Sequence, residues 1–179
     1  MGASLVGAGM DSATLLESMR AKEALLEGHF ELSSGLHSDR YFQCALFLQY
    51  PDEAGAAAQS LARAVKGLDI DVVVGPAMGA VTFSYEVGRA CGTRALFTER
   101  KDGEMVLRRG FSLKQGERVL VVEDVLTTGG SAREVIQVLE SLGAKVVAAG
   151  YGNLTQEQFT NSITTVGLAP YVVMASDVG

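Results

Sequence analysis

The chain has 179 residues, 47% of them hydrophobic, a length that suits one domain and leaves enough apolar material for a sizeable core. Its formal net charge of −6 argues against a nucleic-acid surface, and neither a charged-then-apolar leader nor a long apolar run stands near the N-terminus, so secretion and membrane spanning are not expected. Cys44 and Cys91 are far apart and lack a metal-like spacing; they exclude a disulfide framework and suit buried or inert thiols in a reducing cytoplasm.

In chain order, Asp11 or Ser12 can cap a first helix that carries Leu15, Leu16, Met19, Leu25 and Leu26 and stops near Gly28. A polar loop from Phe30 to Phe42 follows, reading FELSSGLHSDRYF. Planar bases stack on aromatic faces, so its terminal pair, Tyr41 and Phe42, offers platforms; the alternative is an aromatic pair that fills core. His29 and His37 are expected at the surface, and no ligand spacing links them. Asp52 can cap a second, alanine-rich helix that runs to Gly67.

Val72 to Val74 reads as a strand and Ala80 to Ala90 as a helix, with the run Gly75-Pro-Ala-Met-Gly79 between them. At a strand end before a helix, Gly75 and Gly79 can offer backbone amides to a diphosphate, although the same run would also make a plain tight turn. Arg94 to Phe97 reads as the next strand. Beyond it Arg100, Lys101, Arg108 and Arg109 gather around Asp102-Gly103, a hairpin turn signal. Such a concentration of cations in an acidic protein calls for an anion, and a pyrophosphate leaving group is a natural one; a solvated hairpin is the alternative.

The run from Val119 to Ala132, VLVVEDVLTTGGSA, changes character three times. Val119 to Val122 suits a buried strand, and Ser131 to Leu142 places Val135, Val138, Leu139 and Leu142 at helical spacing before Gly143. Between strand and helix stand the adjacent acids Glu123 and Asp124, then hydroxyls and glycines. Loop amides and a helix N-terminus favour an anion, Thr127, Thr128 and Ser131 add donors, and Gly129 and Gly130 allow close approach. No lysine follows these glycines and no G-x-G-x-x-G occurs, so this is neither a Walker loop nor a dinucleotide fingerprint. Acids one sugar's width from a phosphate cradle describe a ribose 5-phosphate. Lys145 to Ala149 reads as a further strand and Thr155 to Asn161 as a surface turn, completing a doubly wound alternation of strands and helices.

At these residues the sequence resembles the type I phosphoribosyltransferases, whose signature is an apolar strand, two acids, an apolar pair and T-[TA]-G-x-[ST]. The resemblance implies an α/β fold with a doubly wound, mostly parallel sheet flanked by helices, within a single domain over 1–179: a small N-terminal hood over about 1–50 and a core over about 51–179. It also implies binding of phosphoribosyl pyrophosphate. Glu123 and Asp124 would meet the ribose hydroxyls, Val125, Leu126, Thr127, Thr128, Gly129, Gly130 and Ser131 would surround the 5-phosphate, and Ala77, Met78 and Gly79 would form the pyrophosphate loop.

The segment from Phe30 to Phe42 resembles the orotate-binding pattern F-x-L-x-S-G-x-x-S-x-x-Y of the orotate phosphoribosyltransferases, matching at Phe30, Leu32, Ser34, Gly35, Ser38 and Tyr41. By that resemblance Ser33, Ser34, Gly35, Tyr41, Phe42 and Thr127 bind orotate. The family's basic loop, often shared with the neighbouring subunit, implies a homodimer, with Lys101 as the catalytic lysine beside Arg100; Arg108 and Arg109 are further candidates for the pyrophosphate. Here that loop is short and lacks the usual histidine. Ser33 stands where many members have lysine, and the stretch from Gly150 to Thr155 lacks the arginine of their usual D-R pair.

The implied activity is transfer of the phosphoribosyl group to orotate, giving orotidine 5-phosphate and pyrophosphate for pyrimidine synthesis. The substrates would be the only partners besides a second copy of the chain, with Mg²⁺ carried mostly by substrate and water rather than by protein side chains. Transfer to a purine or neutral pyrimidine, or a non-catalytic regulator that binds phosphoribosyl pyrophosphate, are the competing readings. The regulator would be expected to bring a basic DNA-binding segment, and none is evident.

Overall fold

The computed structural model describes residues 12–31, 35, 37–125, 129–151 and 172–174. The first helix, α1 (Ser12–Ala21), ends well before Gly28. Glu23 adopts a left-handed φ of 56°, its amide bonds to the Arg20 carbonyl, and the Ala24 amide reaches back to the Met19 carbonyl. This is a Schellman termination with glutamate in the place usually held by glycine. Leu25 and Leu26, expected on the helix, therefore open strand β1 (Leu25–Glu31). Their burial alternates, Leu25 inward and Leu26 at the surface, as a strand requires.

The expected polar loop contains a second strand, β2 (His37–Phe42), antiparallel to β1. Leu25 pairs with Phe42 and Leu26 with Tyr41, and the register shifts between Glu27 and Phe30. A short helix absent from the sequence reading, α2 (Cys44–Leu48), leads into α3 (Pro51–Ala64). Asp52 does not cap α3. Tyr50 holds the cap position without a side-chain bond, and Pro51 starts the helix, its missing amide hydrogen costing nothing there, while Asp52 and Glu53 complement the positive helix end.

The main sheet is built from β3 (Val72–Pro76), β4 (Arg94–Lys101), β5 (Glu104–Leu107), β6 (Arg118–Glu123), β7 (Lys145–Tyr151) and β8 (Val172–Met174), in the spatial order β5-β4-β3-β6-β7-β8. All neighbours are parallel except β4 and β5. Helices α4 (Gly79–Cys91) and α5 (Gly130–Ser141) carry the chain across its two faces. Val72, Val74, Val119 and Val121 pack against Val135, Ile136 and Leu139 of α5. Val73, Leu120 and Val122 turn the other way, toward Leu61 of α3 and Phe83 and Val87 of α4. Covering both faces explains the uninterrupted valine runs, each fully buried side chain contributing roughly 1.5–3 kcal/mol over exposure.

The doubly wound expectation thus holds for the described core. Strands β4 and β6 flank β3 on opposite sides, so the chain direction reverses there, and a crevice opens beyond the carboxyl ends of β3 and β6. The expected turn from Thr155 to Asn161 lies outside the described residues.

Candidate active site

Two strand-to-helix loops meet at this crevice. Strand β6 ends on Glu123, after which Asp124 and Val125 leave the sheet. Asp124 is aimed across at the start of α4: a side chain at Gly79 would have its Cβ 2.6 Å from Asp124 Oδ2 and 2.9 Å from Oδ1. Glycine at 79 is what leaves room for the carboxylate. The thiol of Cys44 donates to the Asp124 backbone carbonyl at 3.4 Å, tying the acid to α2, and burial pushes that thiol above its ordinary pKa range.

Neither acid is as open as a strand end suggests. Glu123 is 8% exposed, and desolvation, with Asp124 beside it, raises its pKa to about 8. Asp124 is half-buried and also raised by desolvation, partly offset by its own backbone amide and that of Val125. Burial at the end of β6 thus favours the protonated form of Glu123. The Val125 side chain packs against the apolar core.

On the β6 side, Gly129 takes a left-handed φ of 70° as it enters α5, and Gly130 is exposed and Ser131 half-buried in the first turn. The first amides of α5 thus stand at a helix end without intrahelical acceptors, the arrangement that favours an anion. Leu126, Thr127 and Thr128 lie outside the described residues. On the β3 side, the Ala77 amide is taken by the Thr98 carbonyl at 2.7 Å, Met78 projects into solvent, and Gly79 opens α4. Gly75 does not belong to this loop. It sits inside β3 in register with Phe97, and a Cβ there would meet Ser84 Oγ and lie 2.6 Å from the Val122 carbonyl, so its role is packing.

The basic stretch folds as a tight hairpin of β4 and β5, turning at Asp102 and Gly103 with both φ positive, as a two-residue hairpin demands. Arg100 lies within β4 rather than after it. It bonds to Glu134 of α5 at 2.7 Å and to the Gly103 carbonyl at 2.8 Å. Arg108 and Arg109 both pair with Glu99, which holds that carboxyl below the usual carboxylate range. Lys101 is exposed and, among the described residues, makes no ion pair. Glu99 and Glu134 are thus the acids that organise the cations; no spacing in the sequence connects Glu134 to Arg100.

Of the residues expected to meet a base, Ser33 and Ser34 lie outside the described residues and Gly35 is exposed with φ 78°. Tyr41 is 40% exposed and pairs with Phe30, ring centroids 5.6 Å apart, whereas Phe42 turns inward against the core. Strand alternation puts the two aromatics on opposite faces, so they cannot form one platform. A cavity of about 570 Å³ lined by Arg63, Lys66 and Cys91 lies at the far end of the sheet, before β3, and is separate from this crevice.

Residues 48–150 match the phosphoribosyl transferase domain family. The chain is 52% identical to the orotate phosphoribosyltransferase of Caldanaerobacter subterraneus subsp. tengcongensis over 79% of its own length and 74% of the relative's. It is 58% identical to that of Pelotomaculum thermopropionicum over 71% and 67%, respectively. Its fold resembles the crystal structure of orotate phosphoribosyltransferase from Aeropyrum pernix, with a TM-score of 0.71, 24% identity, and coverage of 90% of this chain and 92% of that one.

Proposed function

The chain belongs to the phosphoribosyl transferase domain family, among its orotate phosphoribosyltransferases, and we infer on that ground that it transfers the phosphoribosyl group of phosphoribosyl pyrophosphate to orotate, yielding orotidine 5-phosphate and pyrophosphate. The observation that supports placing the reaction at this crevice is the approach of Asp124 to the start of α4, where a Cβ added at Gly79 would lie 2.6 Å from its carboxylate, so that the acid read as holding the sugar adjoins the helix start read as holding the diphosphate.

In this reading Asp124 and Glu123 accept hydrogen bonds from the ribose hydroxyls and hold the sugar while its bond to pyrophosphate stretches and positive charge develops at the ribosyl carbon. The amides at the start of α5, with Ser131 and the threonines 127 and 128, hold the 5-phosphate; Met78 and Gly79 supply the diphosphate side. Lys101 meets the negative charge that gathers on the departing pyrophosphate. Arg100 can join it by leaving Glu134, since an exposed ion pair is worth about 1 kcal/mol or less. Tyr41, with Phe30 behind it, stacks on the base, and Ser33, Ser34, Gly35 and Thr127 supply polar contacts.

Magnesium suits this donor set. Asp124 and Glu123 bring to the crevice the carboxylate oxygens that magnesium takes, and the ion would be held mostly by substrate and water beside Asp124. When bound it neutralises diphosphate charge. We further read the enzyme as a homodimer whose basic hairpin completes the neighbouring site. Free Cys44 and Cys91 accord with a reducing cytoplasm, and no helix among the described residues is long and apolar enough to cross a membrane.

The test is to incubate the protein with phosphoribosyl pyrophosphate, Mg²⁺ and, separately, orotate, uracil, adenine or hypoxanthine, and to follow pyrophosphate release. Orotate is expected to react fastest. A faster purine or uracil overturns the base assignment, and no release with any base, with binding retained, points to a regulator.

A further inference from the structure

The chain has two histidines, and the fold brings both together on the exposed side of the β1–β2 hairpin. The register shift between Glu27 and Phe30 rotates this part of β1 so that Phe30 faces Ser38 and Glu31 faces His37. Within that shift, His29 Nε2 comes to 2.9 Å from His37 Nδ1, with ring centroids 4.8 Å apart and planes inclined by 31°. Two nitrogens that share one ion at about 2.0–2.1 Å, at angles between square and tetrahedral, stand roughly 2.9–3.4 Å apart. The separation already matches that bite.

We propose that His29 and His37 form a two-imidazole site for a borderline divalent transition ion of the nickel, copper or zinc class. Imidazole nitrogen selects these ions, whereas magnesium prefers oxygen and is not expected to compete. The hydrogen bond that now joins the rings uses one proton. On metal binding that proton moves to the far nitrogen of its own ring, so both facing nitrogens present lone pairs and a neutral pair binds with no net proton release. Among the described residues no third His, Cys, Asp or Glu completes a ligand cluster with the pair, so water fills the remaining positions. Glu31, directly opposite His37 on the same face, is the nearest side chain in register that a rotamer change could bring in. The bound ion ties β1 to β2.

The test uses the full-length chain without an affinity tag, titrated with ZnCl₂ in the presence of excess MgCl₂ while the histidine ring signals are followed by NMR. With two histidines in the sequence, both sets of signals are assignable to this pair. A saturable one-to-one response that shifts both rings together is expected. His29→Ala and His37→Ala should each weaken binding by about tenfold or more with little change in Tm, because both side chains are exposed. Absence of saturable binding, or binding that survives either substitution at the strength of the parent, overturns the proposal.

Discussion

Replacing Gly79 with alanine separates the role of Asp124 from its contribution to the fold. The backbone at 79 is outside the left-handed region, so alanine is conformationally allowed there, but its methyl group would lie 2.6 Å and 2.9 Å from the two Asp124 carboxylate oxygens and 3.0 Å from Cγ. Contact distances must grow by several tenths of an ångström, and the part that yields is the carboxylate, which swings on one short side chain. The stability cost should fall at or below the low end of the about 1–3 kcal/mol typical of overpacking, a Tm loss of roughly 2–4 °C. Displacing an acid that positions the sugar by about 1 Å can cost on the order of a hundredfold in rate. Steady-state kinetics with varied phosphoribosyl pyrophosphate should therefore show kcat/KM reduced between about ten- and a hundredfold in a folded enzyme. Gly75→Ala is the contrasting case, because its methyl group would face the Val122 carbonyl and buried Ser84, neither of which can move away; it should lose stability first. If Gly79→Ala folds and keeps full kcat/KM, the position of Asp124 is irrelevant to turnover and the site argument fails.

Glu123 has a folded pKa of about 8, raised from the ordinary 4.5. The folded state thus holds a proton that the unfolded chain has lost between these values, and the stability of the ligand-free protein should fall as pH rises from about 5 to 8, by at most roughly 1.4 kcal/mol per pH unit from this group. Denaturant melts should show Glu123→Gln flattening that slope while turnover with phosphoribosyl pyrophosphate drops; a slope identical to the parent's refutes the burial argument. Tyr41→Ala should raise the KM for orotate with little change in Tm. Phe42→Ala should lower stability, by less than the about 3–5 kcal/mol of a fully buried phenylalanine, and a reversed pattern would show that the faces are wrongly assigned. Mixed Lys101→Ala and Asp124→Asn chains should recover part of the lost activity, since some hybrid sites carry neither change; no recovery after confirmed subunit exchange would argue against a shared hairpin.

Local chemistry made much of this molecule legible from the chain alone. The strand Arg118–Glu123 and the helix Gly130–Ser141 lie within one residue of the spans read from valine clustering and helical spacing, and Asp102-Gly103 turns the hairpin it signals, because each signal acts over a few neighbouring residues. Glu123, Asp124, Gly129 and Gly130 likewise fall at the strand end and the helix start where their order in the chain places them. Other features depended on residues distant in sequence. Glutamate at a left-handed position ended α1 where no glycine marked a stop, so Leu25 and Leu26 changed from helix to strand. Tyr41 and Phe42 are adjacent in sequence but separated by the pleat, one facing out and one packed on the core. The pKa of Glu123 reflects the protein packed over the end of β6, and Arg100 meets Glu134 only because α5 crosses the sheet beside β4 and β5. His29 and His37, which no sequence spacing relates, are brought to 2.9 Å by a register shift between paired strands. The type of each residue was sufficient to name the chemistry; burial, facing and partnership came from the tertiary fold, because a carboxylate, an arginine or an imidazole takes its behaviour from the groups packed around it.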